Sequence, residues 1–269
     1  AYSDLACRGA HPEMETLPCH TFEDTFAAVH EGRARLAMIP IDNSVAGRVA
    51  DIHHLLPGSN LHIIGEHFQR VDHHLLALPG TKIENLTHVH SHSHALPQCR
   101  NVIRELALEP VVYADTAAGA KMISESDDHT QAAIASELAG KIYGLVSLRA
   151  NIEDAEHNTT RFLIMSQETD FPSLDDSDWV TSFVFKVRNV PAALYKAMGG
   201  FATSGVNMTK LESYMVDGNF YAAQFYAEIE GHLDDKSVQC ALEELDFFTS
   251  WVKIMGVFPA NAFRLEQRS

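Results

Sequence analysis

Apolar, strand-like runs in this chain repeatedly stop at a small hydroxyl or amide residue. The run Leu163-Ile164-Met165 follows directly on Asn158-Thr159-Thr160-Arg161-Phe162. Other such runs end at a similar residue and continue as a helix-like segment, at Asn43-Ser44, Ser91, Thr116 and Ser136. Strands that alternate with helices indicate a parallel sheet. Because open α/β folds bind ligands at the carboxyl ends of their strands, we expect these residues to border a crevice.

The alternation extends over the first part of the chain. It predicts strands over 35–41, 61–65, 73–78, 86–90, 111–114 and 132–135, and helices over 45–56, 97–106, 117–124 and 137–143. Asn43 and Ser44 are residue types that favour the N-cap, so the helix over 45–56 is expected to start there and present its positive end.

The pattern changes at residues 170–178, which are rich in Pro, Ser and Asp and read as a linker. Beyond them the sequence predicts strands over 179–187, 206–214, 218–229 and 250–257, and helices over 191–203 and 234–245. This β-α-β-β-α-β order is that of a ferredoxin-like domain. Asp217-Gly218 favours a hairpin turn between the two middle strands. We therefore expect a domain boundary near residues 170–178.

Charge and cysteine content limit the classes of function. The formal charge of −16 argues against nucleic acid binding, which needs a basic face. An anionic substrate would have to be held locally, by backbone N–H groups and few cations. The four cysteines are widely spaced, and neither a signal peptide nor a membrane-length apolar run is evident, so we expect a cytoplasmic protein. Ala1-Tyr2-Ser3 opens the chain without a Met, so residues are expected to precede it.

Side chains alternate along a strand, so Thr160 and Phe162 are expected on one face of theirs and Arg161 on the other. From this spacing alone, an edge strand with an Arg ion pair explains the segment as well as a functional site does.

The motifs of the chain resemble, in order, those of prephenate dehydratases that carry a C-terminal regulatory ACT domain. Thr160-Arg161-Phe162 matches the TRF motif, and Ile39 to Ser44 matches IPIENS with Asp42 in place of Glu. Further matches are Ala1 to Asp4, Gly47-Arg48-Val49, the Ser91 and Gln98 spacing, Asp115-Thr116-Ala117, Ala133 to Ser136 and Tyr143-Gly144-Leu145. The set covers nearly the whole chain.

The resemblance implies an α/β fold with two domains. Residues 1–170 would form a two-lobed catalytic domain like the periplasmic binding proteins, and residues 178–266 a ferredoxin-like ACT domain. The implied reaction expels the ring hydroxyl and carbon dioxide from prephenate and leaves phenylpyruvate. Aromatisation drives this reaction, so no cofactor or metal is implied.

The resemblance also implies roles for single residues. Thr160 would donate a hydrogen bond to the leaving hydroxyl, with Ser91 and Gln98 orienting the substrate or Thr160. Arg161 would be structural. The implied substrate-binding residues are Asn43, Ser44, Thr116, Ser136 and Phe162.

A regulatory domain of this kind implies a homodimer or homotetramer inhibited by L-phenylalanine. The implied effector-binding residues are Ala192, Ala193, Leu194, Asn207, Leu211, Glu212 and Ser213. Pro191 and Tyr214 stand where the family has a flexible Gly and an Arg, which leaves the identity of the effector open.

Alternatives remain at the level of the sequence. Arogenate dehydratase is a second reading within the same enzyme class, and a non-enzymatic protein that binds a small anion is a third. One segment carries a histidine at every second position, at His88, His90, His92 and His94. Imidazoles at this spacing can chelate zinc. A strand edge that runs into a helix cap explains them better, because no second cluster of carboxylates or cysteines accompanies them.

Overall fold

The computed structural model of this chain describes residues 2–49, 52–168, 172–175, 177–215 and 224–266. The strands are β1 Leu36–Asn43, β2 Gly47–Arg48, β3 His62–Arg70, β4 His74–Ala77, β5 His88–His92, β6 Glu109–Tyr113, β7 Gln131–Ala135, β8 Val146–Arg149, β9 Thr159–Ser166, β10 Trp179–Val187, β11 Met208–Tyr214, β12 Gln224–Glu230 and β13 Thr249–Pro259. The helices are α1 Tyr2–Ala10, α2 Phe22–His30, α3 Ile52–Leu55, α4 Arg100–Glu105, α5 Thr116–Ser124, α6 Glu137–Tyr143, α7 Ala193–Thr203, α8 Lys236–Phe248 and α9 Ala262–Glu266. Within the described part of the chain, every helix is too short or too polar to cross a bilayer.

Contacts between residues divide the chain into two compact units that do not correspond to a single cut in the sequence. The first unit contains Ala1–Thr16, Asp42–Arg48 and Phe68–Arg161. The second contains Leu17–Ile41, Val49–His67 and Phe162–Ser269. Strands β1 and β9 therefore contribute residues to both units.

The first unit is built on a five-stranded sheet with the order β6-β5-β7-β4-β8. Strand β5 is parallel to β6 and β7, whereas β4 is antiparallel to β7 and β8. The carboxyl ends of β5, β6 and β7 therefore lie on the same edge as the amino end of β4, where His74 pairs with Ala135. This edge carries the residues that follow the three parallel strands, as the alternating pattern predicts.

Two helices begin at this edge with the caps that the sequence indicates. Asp115 is the N-cap of α5 and accepts hydrogen bonds from the N–H groups of Ala117 and Ala118. Ser136 is the N-cap of α6, and its side chain accepts from the N–H of Ala139. Side-chain oxygens at these positions satisfy N–H groups that have no partner within the helix.

The predicted helix over 45–56 is wrong over residues 45–49. The chain turns at 44–46 and returns as β2, which pairs with β1 through Asn43 and Gly47. The side chain of Asn43 accepts from the N–H groups of Val45 and Ala46, and such a bond favours a turn over a helix. Gly47 has a φ of 81°, a left-handed conformation that favours glycine. Among the described residues that follow β2, α3 is the next helix.

The C-terminal part of the second unit confirms the predicted β-α-β-β-α-β order. Its elements follow as β10, α7, β11, β12, α8 and β13. Within the sheet the strands lie in the order β11-β12-β10-β13, and each neighbouring pair among them is antiparallel. The predicted hairpin turn at Asp217-Gly218 lies outside the described residues.

The same sheet continues into the N-terminal part of the second unit. Strand β13 pairs in parallel with β3 at Gly256 and Ile63, and β9 and β1 follow. A Cβ at Gly256 would clash with the carbonyl oxygen of Ile63, so only glycine fits there. Two clusters of apolar residues cover opposite faces of the C-terminal strands. Phe183 and Phe185 pack with α7 and α8, whereas Val180 and Val184 pack in one cluster with residues of β1 and β3.

Candidate functional site

Thr160 and Asn43 meet in the first unit, where β9 begins and β1 ends. The Nδ2 group of Asn43 donates to Oγ1 of Thr160 at 3.0 Å and to Oδ1 of Asn158 at 2.8 Å. The Oδ1 atom of Asn43 accepts from the N–H groups of Val45 at 3.0 Å and Ala46 at 2.7 Å. A backbone N–H can only donate, so these two bonds fix which end of the Asn43 amide is oxygen.

The fixed orientation of Asn43 propagates through the neighbouring side chains. Asn158 directs its Oδ1 to Asn43, and its Nδ2 donates to Oε1 of Gln98 at 2.8 Å. The same oxygen of Gln98 lies 3.0 Å from Nε2 of His73. An oxygen that faces two nitrogens must accept from both, so the network assigns a proton to Nε2 of His73.

His73 lies at the far end of this network, next to Tyr2. Its Nδ1 atom lies 3.1 Å from the hydroxyl of Tyr2, which donates to the carbonyl oxygen of Asp72 at 2.6 Å. The ring is almost completely buried, and this burial lowers the pKa of His73, although the hydrogen bond to Gln98 raises it in part. Neutral His73 with its proton on Nε2 satisfies the contact to Gln98. Its Nδ1 atom can then only accept, so the single proton of the Tyr2 hydroxyl serves both the Asp72 carbonyl and Nδ1. Burial also raises the pKa of Tyr2, which keeps its hydroxyl protonated.

Backbone contacts hold the segments that carry these side chains. The N–H of His73 donates to a carboxylate oxygen of Glu153 at 2.9 Å, and the N–H of Ile152 donates to the carbonyl of His73 at 3.0 Å. The N–H of Val71 donates to the carbonyl of Asn158 at 2.8 Å. The start of β4 is thereby attached to the loop that precedes β9.

Ser44 and Ser91 bond to backbone groups. The hydroxyl of Ser44 donates to the carbonyl of His157 at 2.7 Å and accepts from the N–H of Thr159 at 2.9 Å. This pair of bonds attaches the β1–β2 turn to the start of β9. Ser91 is fully buried within β5 and donates to the carbonyl of Ile134 at 2.6 Å. Its hydroxyl thus joins two parallel strands.

Thr116 and Ser136 lie at the carboxyl ends of β6 and β7, where α5 and α6 begin. The carboxylate of Asp115 occupies two N–H groups at the start of α5, so it opposes the approach of a second anion there. Phe162 belongs to the second unit and is 1% exposed. Arg161 is buried, and its Nη1 atom lies 3.7 Å from Oδ2 of Asp42, a distance that fits an ion-paired structural residue.

The alternating histidines have partners other than a metal ion. Nε2 of His88 lies 3.4 Å from a carboxylate oxygen of Glu109, and Nε2 of His90 lies 2.7 Å from Oε1 of Gln131. The rings of His92 and His94 meet edge to face. In the described ranges, no group of three His, Cys, Asp or Glu side chains is placed to hold a metal.

The predicted effector residues lie in the second unit. Ala192 precedes α7 with a φ of 59°, a conformation that favours glycine. Asn207, Leu211 and Ser213 are exposed, and Glu212 is half-buried. Tyr214 is buried, its hydroxyl accepts from Nε2 of Gln224 at 2.6 Å, and burial raises its pKa to about 12.

The sequence therefore identified only part of the network. Thr160, Asn43 and Gln98 were singled out, and Asn158 belongs to the motif that led to them. His73 and Tyr2 are not among the predicted site residues, because the sequence presents His73 as a surface or core histidine and Tyr2 only as part of the opening motif. The only available signal was the match of Ala1 to Asp4 with a family motif, which includes Tyr2.

Comparisons with known proteins agree on one family. A sequence profile described as "Prephenate dehydratase" matches residues 1–170. The bifunctional N-acyl-homoserine lactone acylase/prephenate dehydratase of Komagataeibacter europaeus is 52% identical over 264 residues, which are 98% of this chain and 94% of that relative. The chloroplastic arogenate dehydratase/prephenate dehydratase 1 of Arabidopsis thaliana is 37% identical over 278 residues, 98% of this chain and 71% of that relative.

The fold agrees with this family as well. The solved structure of a prephenate dehydratase from Arthrobacter aurescens in complex with L-Phe superposes with a TM-score of 0.87 at 27% identity. The match covers 100% of this chain and 94% of that one. The α/β architecture with mixed sheets is therefore similar to that of solved prephenate dehydratases.

Proposed function

Since the chain belongs to the prephenate dehydratase family, we propose that it converts prephenate to phenylpyruvate, with Thr160 as the residue that assists the leaving hydroxyl. The carbon–carbon bond to the ring carboxylate breaks, and its electron pair enters the ring as carbon dioxide departs. The ring hydroxyl leaves from the opposite carbon and gains one proton to become water.

The hydrogen bond from Asn43 to Thr160 is the observation that carries this proposal. Because Oγ1 of Thr160 accepts from Asn43, its own proton is directed elsewhere and can be donated to a ligand. The side-chain amide of Asn43 is held against flipping, since two backbone N–H groups donate to its oxygen. A donor fixed in advance toward developing negative charge stabilises a transition state without reorganisation.

The other predicted site residues fit supporting roles. We assign Gln98 to the orientation of Thr160, through Asn158 and Asn43. Asn43, proposed from the sequence to bind substrate, has its amide committed to Thr160 and Asn158, which favours a positioning role. We assign Ser91 a supporting structural role, because its hydroxyl joins β5 to β7. Substrate contacts by Ser44 and Ser136 remain part of the proposal. The carboxylate of Asp115 argues against such a contact at Thr116, and a contact by Phe162 stays a prediction from the sequence.

A direct assay separates the candidate functions. We expect the purified protein to form phenylpyruvate from prephenate, and competition with arogenate measures the preference between these substrates, which the Arabidopsis relative's name leaves open. A second candidate activity, hydrolysis of N-acyl-homoserine lactones, is favoured by the name of the 52% identical relative and is measured by release of homoserine lactone. Binding of prephenate without any turnover would instead identify a binding protein and refute the proposed reaction.

Substitution of Thr160 tests the role of its hydroxyl. We expect Thr160→Ala to fold normally and to lose about 10²–10³ in kcat, because the lost bond forms chiefly in the transition state. The value of KM should change little, and Thr160→Ser should retain much of the activity. An alanine variant with wild-type kcat for phenylpyruvate formation would exclude Thr160 from the reaction.

We further propose that residues 178–266 form an ACT regulatory domain that binds L-phenylalanine. The β-α-β-β-α-β order supports this assignment, and a similar protein was solved in complex with L-Phe. The proposed site comprises 192–194, Asn207 and 211–213. Strand β11 ends the sheet order in the described part of the chain, and such an edge favours pairing with a second copy as a homodimer or homotetramer.

Calorimetry tests this regulation on the intact chain. A truncation near residue 170 is unsuitable, because Val180 and Val184 share a buried cluster with Ile39 and Ile63. We expect phenylalanine to bind and to inhibit, since it must favour the less active state. Ser213→Trp should abolish both effects by filling the site, whereas Gln239→Trp, at an exposed position of α8, should leave them unchanged. Absence of phenylalanine binding to the unsubstituted protein contradicts the proposal.

A further inference from the structure

The hydrogen bonds that end at Thr160 begin at Tyr2 and His73, which the sequence does not identify as site residues. The path runs from Tyr2 through His73, Gln98, Asn158 and Asn43 to Thr160. The side-chain separations along it are 3.1, 3.0, 2.8, 2.8 and 3.0 Å. Backbone groups anchor both ends, at the Asp72 carbonyl and at the N–H groups that hold Asn43.

We propose that His73, held by Tyr2, is a positioning residue that fixes the hydroxyl of Thr160 through the Gln98, Asn158 and Asn43 amides. This proposal rests on the proposed dehydratase function. His73 is not a catalytic residue in this account, because its ring contacts Gln98 and Tyr2 and acts on Thr160 only through the intervening amides.

The physical reason lies in how amide groups constrain one another. Gln98 accepts from both Asn158 and His73, so its oxygen is held on the side that Asn158 requires. Without the proton on Nε2 of His73, the Gln98 amide can rotate by half a turn and present its NH₂ group to Asn158. The NH₂ groups of Gln98 and Asn158 would then face each other. The Asn158 side chain would either move away from Gln98 or rotate, and rotation would break the hydrogen bond that its oxygen accepts from Asn43. Either outcome loosens the donor that holds Thr160.

A second buried histidine in the same unit provides a matched control. Nε2 of His90 also lies within hydrogen-bond distance of a glutamine oxygen, that of Gln131 at 2.7 Å. Both rings are nearly fully buried, and burial lowers the pKa of both. Gln131 in turn donates to Asp128, so the hydrogen bonds that start at His90 lead away from Thr160. The two histidines thus share burial and chemistry but differ in what they connect.

The test compares His73→Phe with His90→Phe in the full-length protein. We expect His73→Phe to lower kcat for phenylpyruvate formation roughly 10- to 100-fold with KM changed less than about threefold. His90→Phe should retain near wild-type kcat even where its thermal stability falls equally. His73→Gln, whose NH₂ group can donate to Gln98, should recover part of the loss. Tyr2→Phe removes a single hydroxyl and should cause a smaller loss in the same direction.

A second readout needs no substrate and so separates this proposal from the dehydratase assignment. In protein labelled with ¹⁵N at asparagine side chains, the Asn43 NH₂ resonances should shift in His73→Phe and stay in place in His90→Phe. Unchanged Asn43 resonances in a folded His73→Phe protein refute the positioning role, whatever the activity. Equal losses of kcat in the two phenylalanine variants refute it as well, because general destabilisation then explains both.

Discussion

The side-chain amide of Asn43 is held in one orientation by two backbone N–H groups, and the remainder of the site follows from that orientation. An amide has a donating and an accepting end, so fixing one end assigns every hydrogen bond at the other. Asn43 thereby donates to both Thr160 and Asn158. The same assignment of donors and acceptors extends through Asn158 and Gln98 to His73. The neutral hydroxyl of Thr160 thereby becomes a directed donor. A directed donor suits the proposed reaction, in which aromatisation supplies the driving force.

The topology of the first unit explains why these side chains meet. Three parallel strands place their carboxyl ends at one edge of the sheet, and antiparallel β4 brings its amino end, with His73, to the same edge. The turn after β1 approaches β9 because the hydroxyl of Ser44 bonds to the backbone on either side of Asn158. The chain's net charge of −16 does not attract an anionic substrate from a distance. Binding of the proposed anionic substrate would therefore depend on local donors. The carboxylate of Asp115 disfavours the N-terminus of α5 as one of these donors.

Local sequence patterns predicted most of the elements from residue 35 onward, but they missed α1, α2 and β8 and gave few of the long-range contacts. Strand β10 and the order of the C-terminal elements followed from apolar periodicity and turn residues, and the caps Asp115 and Ser136 from their side-chain chemistry. The helix expected after Ser44 failed because an Asn side chain can cap a turn as well as a helix, and sequence alone does not choose between them. His73 and Tyr2 lie far from Gln98 and Asn158 in the chain, so no local spacing could join them. The same holds for Arg264, which bonds two buried carboxylates, Glu66 and Glu228.

A double-mutant cycle on Asn43 and Thr160 tests the central claim most directly. Asn43→Asp keeps an oxygen for the N–H groups of Val45 and Ala46 but removes the donor that orients Thr160. If Asn43 acts through the hydroxyl, Asn43→Asp should lower kcat about as much as Thr160→Ala, roughly 10²–10³-fold. The double variant should then be no slower than Thr160→Ala alone. Losses that multiply in the double variant would show that the two residues act independently and would contradict the account.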